Sequence, residues 1–285
     1  MICSGRWYNK LRMDWLNAKG HSSMLRRYCR ISVIILFTVI FTGCFRTGSE
    51  ANISSLPTVT STSQILLTST IPPTITYQPS PAEDIAKYTF PKSIDKESKY
   101  MFYLHGKIIE DQGIPAVDPK YGEYEYGAIL DKLSKSGFVV ISEQRPKNAD
   151  SALYARRIAE QVRSLLNAGV PPKNITIVGA SKGAGIAILT SNILKNKEIN
   201  FVIMAICDPA TVEELKKNHI FLYGNVLSIY DSKDELAGSC EDLFSLSKDK
   251  GLNRYDEVVL EVGTGHGILY KPLDEWIVPV TQWAR

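Results

Sequence analysis

The run ITIVGASKGAGIAIL, residues 175–189, sets one serine and three glycines between two apolar stretches. Two chemistries use such a turn. Glycines let a backbone close on the pyrophosphate of a dinucleotide at a helix N-terminus. Alternatively, Gly179-Ala180-Ser181-Lys182-Gly183 is a G-x-S-x-G pattern, in which a serine nucleophile stands on a sharp strand-to-helix turn. These five residues alone do not choose. A triphosphate-binding loop is excluded, because no Gly-Lys-Ser/Thr follows the glycines.

Each chemistry makes demands elsewhere. A serine hydroxyl is inert near neutral pH without a general base, a group that orients the base, and donors for the oxyanion. The chain has four histidines: His21, His105, His219 and His266. Only His266, between Gly265 and Gly267 in VGTGHG, follows the last apolar run and stands after an acid-bearing segment. That segment, LSIYDSKDELAG, offers Asp231, Asp234 and Glu235; Asp208 is a further candidate. The order Ser…acid…His then runs along the chain. The dinucleotide reading has Asp208, 23 residues after Gly185, near the place of a ribose-binding acid. Against it, two strand–helix units precede the turn, where such a fingerprint normally opens the first. Only 100 residues follow Gly185, and no Tyr-x-x-x-Lys occurs. Neither an H-E-x-x-H nor a Cys/His cluster points to metal chemistry.

YLHG (103–106), GASKG (179–183) and DSKDELAG…GTGHG (231–238 and 263–267) together resemble the α/β-hydrolase superfamily, nearest to carboxylesterase-like and dienelactone-hydrolase-like members. The resemblance implies an α/β fold: a mostly parallel sheet of about six strands, helices on both faces, and no large lid domain. It implies a serine hydrolase with Ser181 as nucleophile, His266 as base and Asp234 as its orienting acid. Asp231 falls on the small first residue of the acid turn, and Asp208 one strand too early. The backbone N–H groups of Lys107 and Lys182 become the oxyanion donors. Gly106, Gly179 and Gly183 support these turns, and His105 ties down the first of them. The substrate would be a small ester, thioester or amide cleaved through an acyl-enzyme, with no cofactor. In this fold Cys207 and Cys240 lie past neighbouring strands, within reach of a disulfide. A non-catalytic binding module on the same fold is the alternative, and a short-chain dehydrogenase-like NAD(P) protein the third reading.

The elements that must position these residues are legible. KYMFYLHG (99–106), FVVISEQR (138–145), NITIVGA (174–180), NFVIMAIC (200–207), NVLSIYD (225–231) and DEVVLEV (256–262) read as strands with continuous rather than alternating apolar runs, as strands buried on both faces require. Between them, 126–137 and 150–169 read as helices, the second with Ala152, Ala155, Ala159, Val162 and Leu166 on one face. Residues 107–127 read as a long irregular loop bordering the site; its Tyr121, Tyr124 and Tyr126 with several acids suit a sugar or a cationic group, but the plainer reading, a solvated loop, is preferred.

The N-terminal third differs. MLRRYCR (24–30) and the 13-residue apolar region 31–43, ending before Cys44, resemble a bacterial lipoprotein signal with lipid on the Cys44 thiol. Translation is expected to start at Met24. Residues 1–43 form this leader, 44–83 a Ser/Thr/Pro-rich tether, and 84–285 the folded domain. Of 33 bases and 30 acids, the leader holds seven and one, leaving 26 and 29, a net of −3. The basic balance therefore belongs to the leader, and no nucleic-acid partner is expected. The expected location is the outer face of a bacterial membrane, reached through the lipid anchor. The domain's two cysteines are an even pair, compatible with a disulfide or with two buried thiols.

Overall fold

Alternating strands and helices form a six-stranded sheet in the order β4-β1-β5-β6-β7-β8, with every neighbouring pair parallel. Its strands are β1 (Tyr100–Leu104), β4 (Val139–Ile141), β5 (Ile175–Ala180), β6 (Asn200–Met204), β7 (Gly224–Asp231) and β8 (Leu252–Leu260). The computed structural model describes residues 82–285, all within one compact unit. The expected leader, the Met24 start, the lipidation site Cys44 and nearly all of the tether lie outside the described residues. The tether's last two residues, as bounded above, fall in a short 3-10 helix, Ala82–Tyr88.

Successive residues of each central strand point to opposite faces, and both faces are apolar. Met101 and Tyr103 join one core, with Ile129, Leu130 and Leu133 of α2 (Tyr126–Lys135) and Trp276 and Ile277 of α7 (Asp274–Trp283). Tyr100, Phe102 and Leu104 join the other. There they meet α3 (Ser151–Asn167), α4 (Lys182–Leu194), α5 (Pro209–Lys217) and α6 (Glu241–Ser247). Covering on both sides is what turns an alternating pattern into a continuous one. Helix α3 starts at Asp150, whose carboxylate accepts the Leu153 N–H at 2.7 Å. Its buried stripe is Ala155, Ile158, Ala159, Val162 and Leu165, one residue off the expected Leu166 at its end.

The segment expected as an irregular loop is instead ordered. It holds α1 (Lys107–Gln112) and a two-stranded hairpin, β2 (Val117–Asp118) with β3 (Gly122–Glu123). The chain leaves β1 for β4 on one side and returns to β5 on the other. The strand order therefore reverses between β1 and β5, and such a switch point leaves a crevice at the carboxyl ends of the strands. No separate lid domain stands among the described residues. The architecture is an α/β-hydrolase fold reduced to six strands.

Candidate active site

Strand β5 delivers Ser181 at the switch point. Its φ of 51° and ψ of −116° are strained for a side chain with a Cβ. The turn is held by the Ser181 N–H, which donates to Met204 O at 2.9 Å. The N–H groups of Ala184 and Gly185 donate back to Ser181 O at 2.8 and 3.2 Å. Within this turn glycine is required by packing at two positions. A Cβ at Gly183 would collide with the carbonyl oxygens of Leu104 and His105, and one at Gly179 with the backbone of Gly183 and Ala184. The space over Gly183 is thus filled by the end of β1, where a dinucleotide phosphate would need room.

Strand β1 leads into His105, Gly106 and the start of α1. The His105 ring is fully buried. Its Nε2 accepts the Arg145 backbone N–H at 2.9 Å, so the ring proton sits on Nδ1 and donates to Gly106 O at 2.8 Å. Burial, and then the neighbouring Arg145, hold the imidazole well below its usual range, so it is neutral. Because Gly106 O is fixed, the planar trans peptide aims the Lys107 N–H the opposite way. A Cβ on Gly106 would stand 4.0 Å from Ser181 Cβ, so this peptide borders the elbow. Lys107 and Lys182 each open a helix, where backbone N–H groups face outward.

Beyond β7 and β8 lie Asp234 and His266. Asp234, its side chain wholly buried, accepts from His266 Nδ1 at 2.9 Å through Oδ2. Its Oδ1 accepts the Leu236 N–H at 2.8 Å. Asp231 plays another part: buried at the end of β7, it accepts the N–H groups of Lys233 and Gly263, both at 2.8 Å, tying the acid loop to the histidine loop. Asp208 caps α5, accepting from Ala210 and Thr211 at 2.9 and 3.1 Å. Cys207 and Cys240 form a disulfide, with Cα atoms 5.2 Å apart, that brackets the acid loop. Among the described residues no hydrogen bond joins Ser181 Oγ to His266.

The rim departs from expectation. Tyr124 and Tyr126 are buried; their hydroxyls bond Tyr103 and Ser142 at 2.7 and 2.6 Å, so neither faces a substrate. Tyr121 remains partly exposed, and a Cβ at Gly267, beside His266, would press on its ring at 2.8 Å. A cavity of about 430 Å³ next to Arg145 is lined by neither Ser181, Asp234 nor His266. No group of residues suited to a metal occurs among the described residues.

Sequence reasoning missed Glu110 and Arg145; in the interior Glu110 pairs with both Arg145 and Lys182. A lone Glu in an expected loop and a lone Arg at the end of an expected strand carry no local signal of burial.

No protein-family model matches the chain. No curated protein matches it. Among solved structures it is similar to SOBER1 of Arabidopsis thaliana: 10% identity, 66% of this chain and 97% of that one, TM-score 0.44. It is likewise similar to esterase PE8: 17% identity, 69% and 99% coverage, TM-score 0.42. A candidate dienelactone hydrolase from Klebsiella pneumoniae is a third: 13% identity, 68% and 89% coverage, TM-score 0.45.

Proposed function

We propose that the domain is a serine hydrolase cleaving small ester-type substrates through an acyl-enzyme. We propose further that a lipid on Cys44 carries it on the outer face of a bacterial membrane. The observation that best supports the catalytic reading is the 2.9 Å bond between His266 Nδ1 and buried Asp234. It leaves the Nε2 lone pair as the base, while Ser181 stands on a strained elbow two strands away from β7. In this reading Ser181 Oγ attacks the carbonyl carbon as its proton passes to His266 Nε2. The oxyanion is held by the N–H groups of Lys107 and Lys182. Collapse expels the alcohol, which takes the proton from His266; water repeats the sequence and releases the acid.

The test uses purified full-length protein, a fluorophosphonate probe and a panel of p-nitrophenyl esters of increasing acyl length. The expected outcome is covalent labelling at Ser181 and turnover of at least one ester, both lost in Ser181→Ala. Intact folding with neither labelling nor turnover would favour the binding module, and NAD(P)H binding would favour the dehydrogenase.

A further inference from the structure

Glu110, Arg145 and Lys182 form an ionic cluster whose side chains are 0%, 2% and 4% exposed. Arg145 Nε donates to Glu110 Oε1 at 2.6 Å, and Lys182 Nζ to Oε2 at 2.5 Å. Lys182 Nζ also donates to Ala149 O at 2.7 Å, and the Arg145 guanidinium to the His105 carbonyl. No second carboxylate pairs with either cation among the described residues, so the cluster holds one net positive charge.

Stability does not account for it. Desolvating such groups costs so much that apolar replacements of buried ion pairs are often neutral or stabilising. Position does account for it. Lys182 follows Ser181 and opens α4; Glu110 lies in the first turn of α1, which Lys107 opens; Arg145 grips the residue before Gly106. Each member thus holds a segment bearing one of the two amides assigned to the oxyanion.

We infer that this cluster is the positioning device of the oxyanion site, an inference that rests on the hydrolase reading above. The Glu110–Lys182 bridge locks the N-termini of α1 and α4 to each other, so both donors are placed before charge develops. The net positive charge lies in surroundings closed to water, where electrostatic effects are strongest, and it favours an anion forming between those donors. The side chains of Glu110, Arg145 and Lys182 are positioning groups; the one contact with substrate from these residues is the Lys182 backbone N–H.

The experiment compares full-length wild type, Lys182→Met, Lys182→Arg and Glu110→Asp on p-nitrophenyl acetate. Active serines are counted with the fluorophosphonate probe, and folding is followed by thermal melting. Lys182→Met leaves Glu110 paired with Arg145. It should lower kcat per titrated serine roughly ten- to hundredfold, with KM changed by less than about twofold. Affinity for a trifluoromethyl ketone, whose adduct carries an oxyanion, should fall in parallel, and Lys182→Arg should recover part of both. If Lys182→Met does not fold, Glu110→Asp keeps every charge while shortening the bridge, and must still show a loss in kcat alone. Unchanged kcat per titrated serine, or a change in melting temperature only, overturns the inference. A wild type that neither labels nor turns over removes the hydrolase reading and this role with it. Active wild type with unaffected variants removes the role alone.

Discussion

Asp208, Asp231 and Asp234 all stand at or past the carboxyl ends of β6 and β7, yet only Asp234 faces a histidine. Replacing Asp234 by Asn keeps the shape but turns an acceptor toward His266 into a donor or a weaker acceptor, which disturbs the ring tautomer. The expected loss in kcat is about 10⁴-fold, with little change in melting. Asp231→Asn removes charge from a group accepting two loop N–H bonds; it should cost about 1–3 kcal/mol in urea unfolding and less than about tenfold in kcat. Steady-state kinetics with the reverse ranking would move the acid to Asp231. His105 gives a pH signature. Its folded pKa is depressed by burial, so the unfolded chain binds a proton that the fold refuses. Stability is therefore complete above about pH 6.5 and falls as pH drops below it, by up to about 1.4 kcal/mol per pH unit. Urea unfolding between pH 5.5 and 7.5 reads this slope, and a flat profile would contradict a neutral buried His105.

At the scale of elements, the elbow is a packing solution as much as a chemical one. Helix α4 approaches the end of β1 so closely that Gly183 tolerates no Cβ, whereas one at Gly185 would meet only Ile206 Cδ1 at 4.0 Å. Gly183→Ala should therefore cost about 3 kcal/mol or more. Gly185→Ala should be neutral or stabilise by about 0.5–1 kcal/mol, since alanine suits a helix interior better. Equal damage from both, measured by thermal melting, would point to a ligand-binding role for both glycines. The disulfide acts on another element. It joins the segment after β6 to the start of α6, 33 residues on, and so closes the loop carrying Asp234. Cys207→Ala with Cys240→Ala should cost about 2–4 kcal/mol in chemical denaturation. It should lower kcat far less than Asp234→Asn.

For the whole molecule, chemistry and attachment are assigned to separate stretches of chain. Residues 1–43 carry the excess of basic charge, and the balance of residues 44–285 is slightly acidic. If Cys44 holds the lipid, Cys44→Ser should move the protein from the membrane to the soluble fraction and abolish palmitate incorporation. The activity per titrated serine should stay unchanged, since Cys44 is remote in sequence from every residue of the site. Membrane association and processing at the normal rate in Cys44→Ser would remove the lipoprotein reading.

What the sequence alone determined about this protein are features whose signals are local or ordered along the chain. Continuous apolar runs marked the buried strands, because a strand covered on both faces needs no polar residue in its middle, whereas the edge strand β8, exposed over Asn253–Asp256, begins four residues before the run that marked it. The G-x-S-x-G pattern marked the turn from β5 into α4, chain order singled out His266 behind several acids, and only the resemblance to α/β-hydrolases chose Asp234 among them; the two residues are bonded across 32 positions. Tertiary structure decided the rest. Glu110 meets Arg145 across 35 residues and Lys182 across 72, and as residue types all three read as solvated surface. They become a buried cluster because the strand order reverses between β1 and β5, bringing the segments after β1, β4 and β5 to one place. The same crowding buries Tyr124 and Tyr126, whose hydroxyls find partners that no spacing along the chain could reveal.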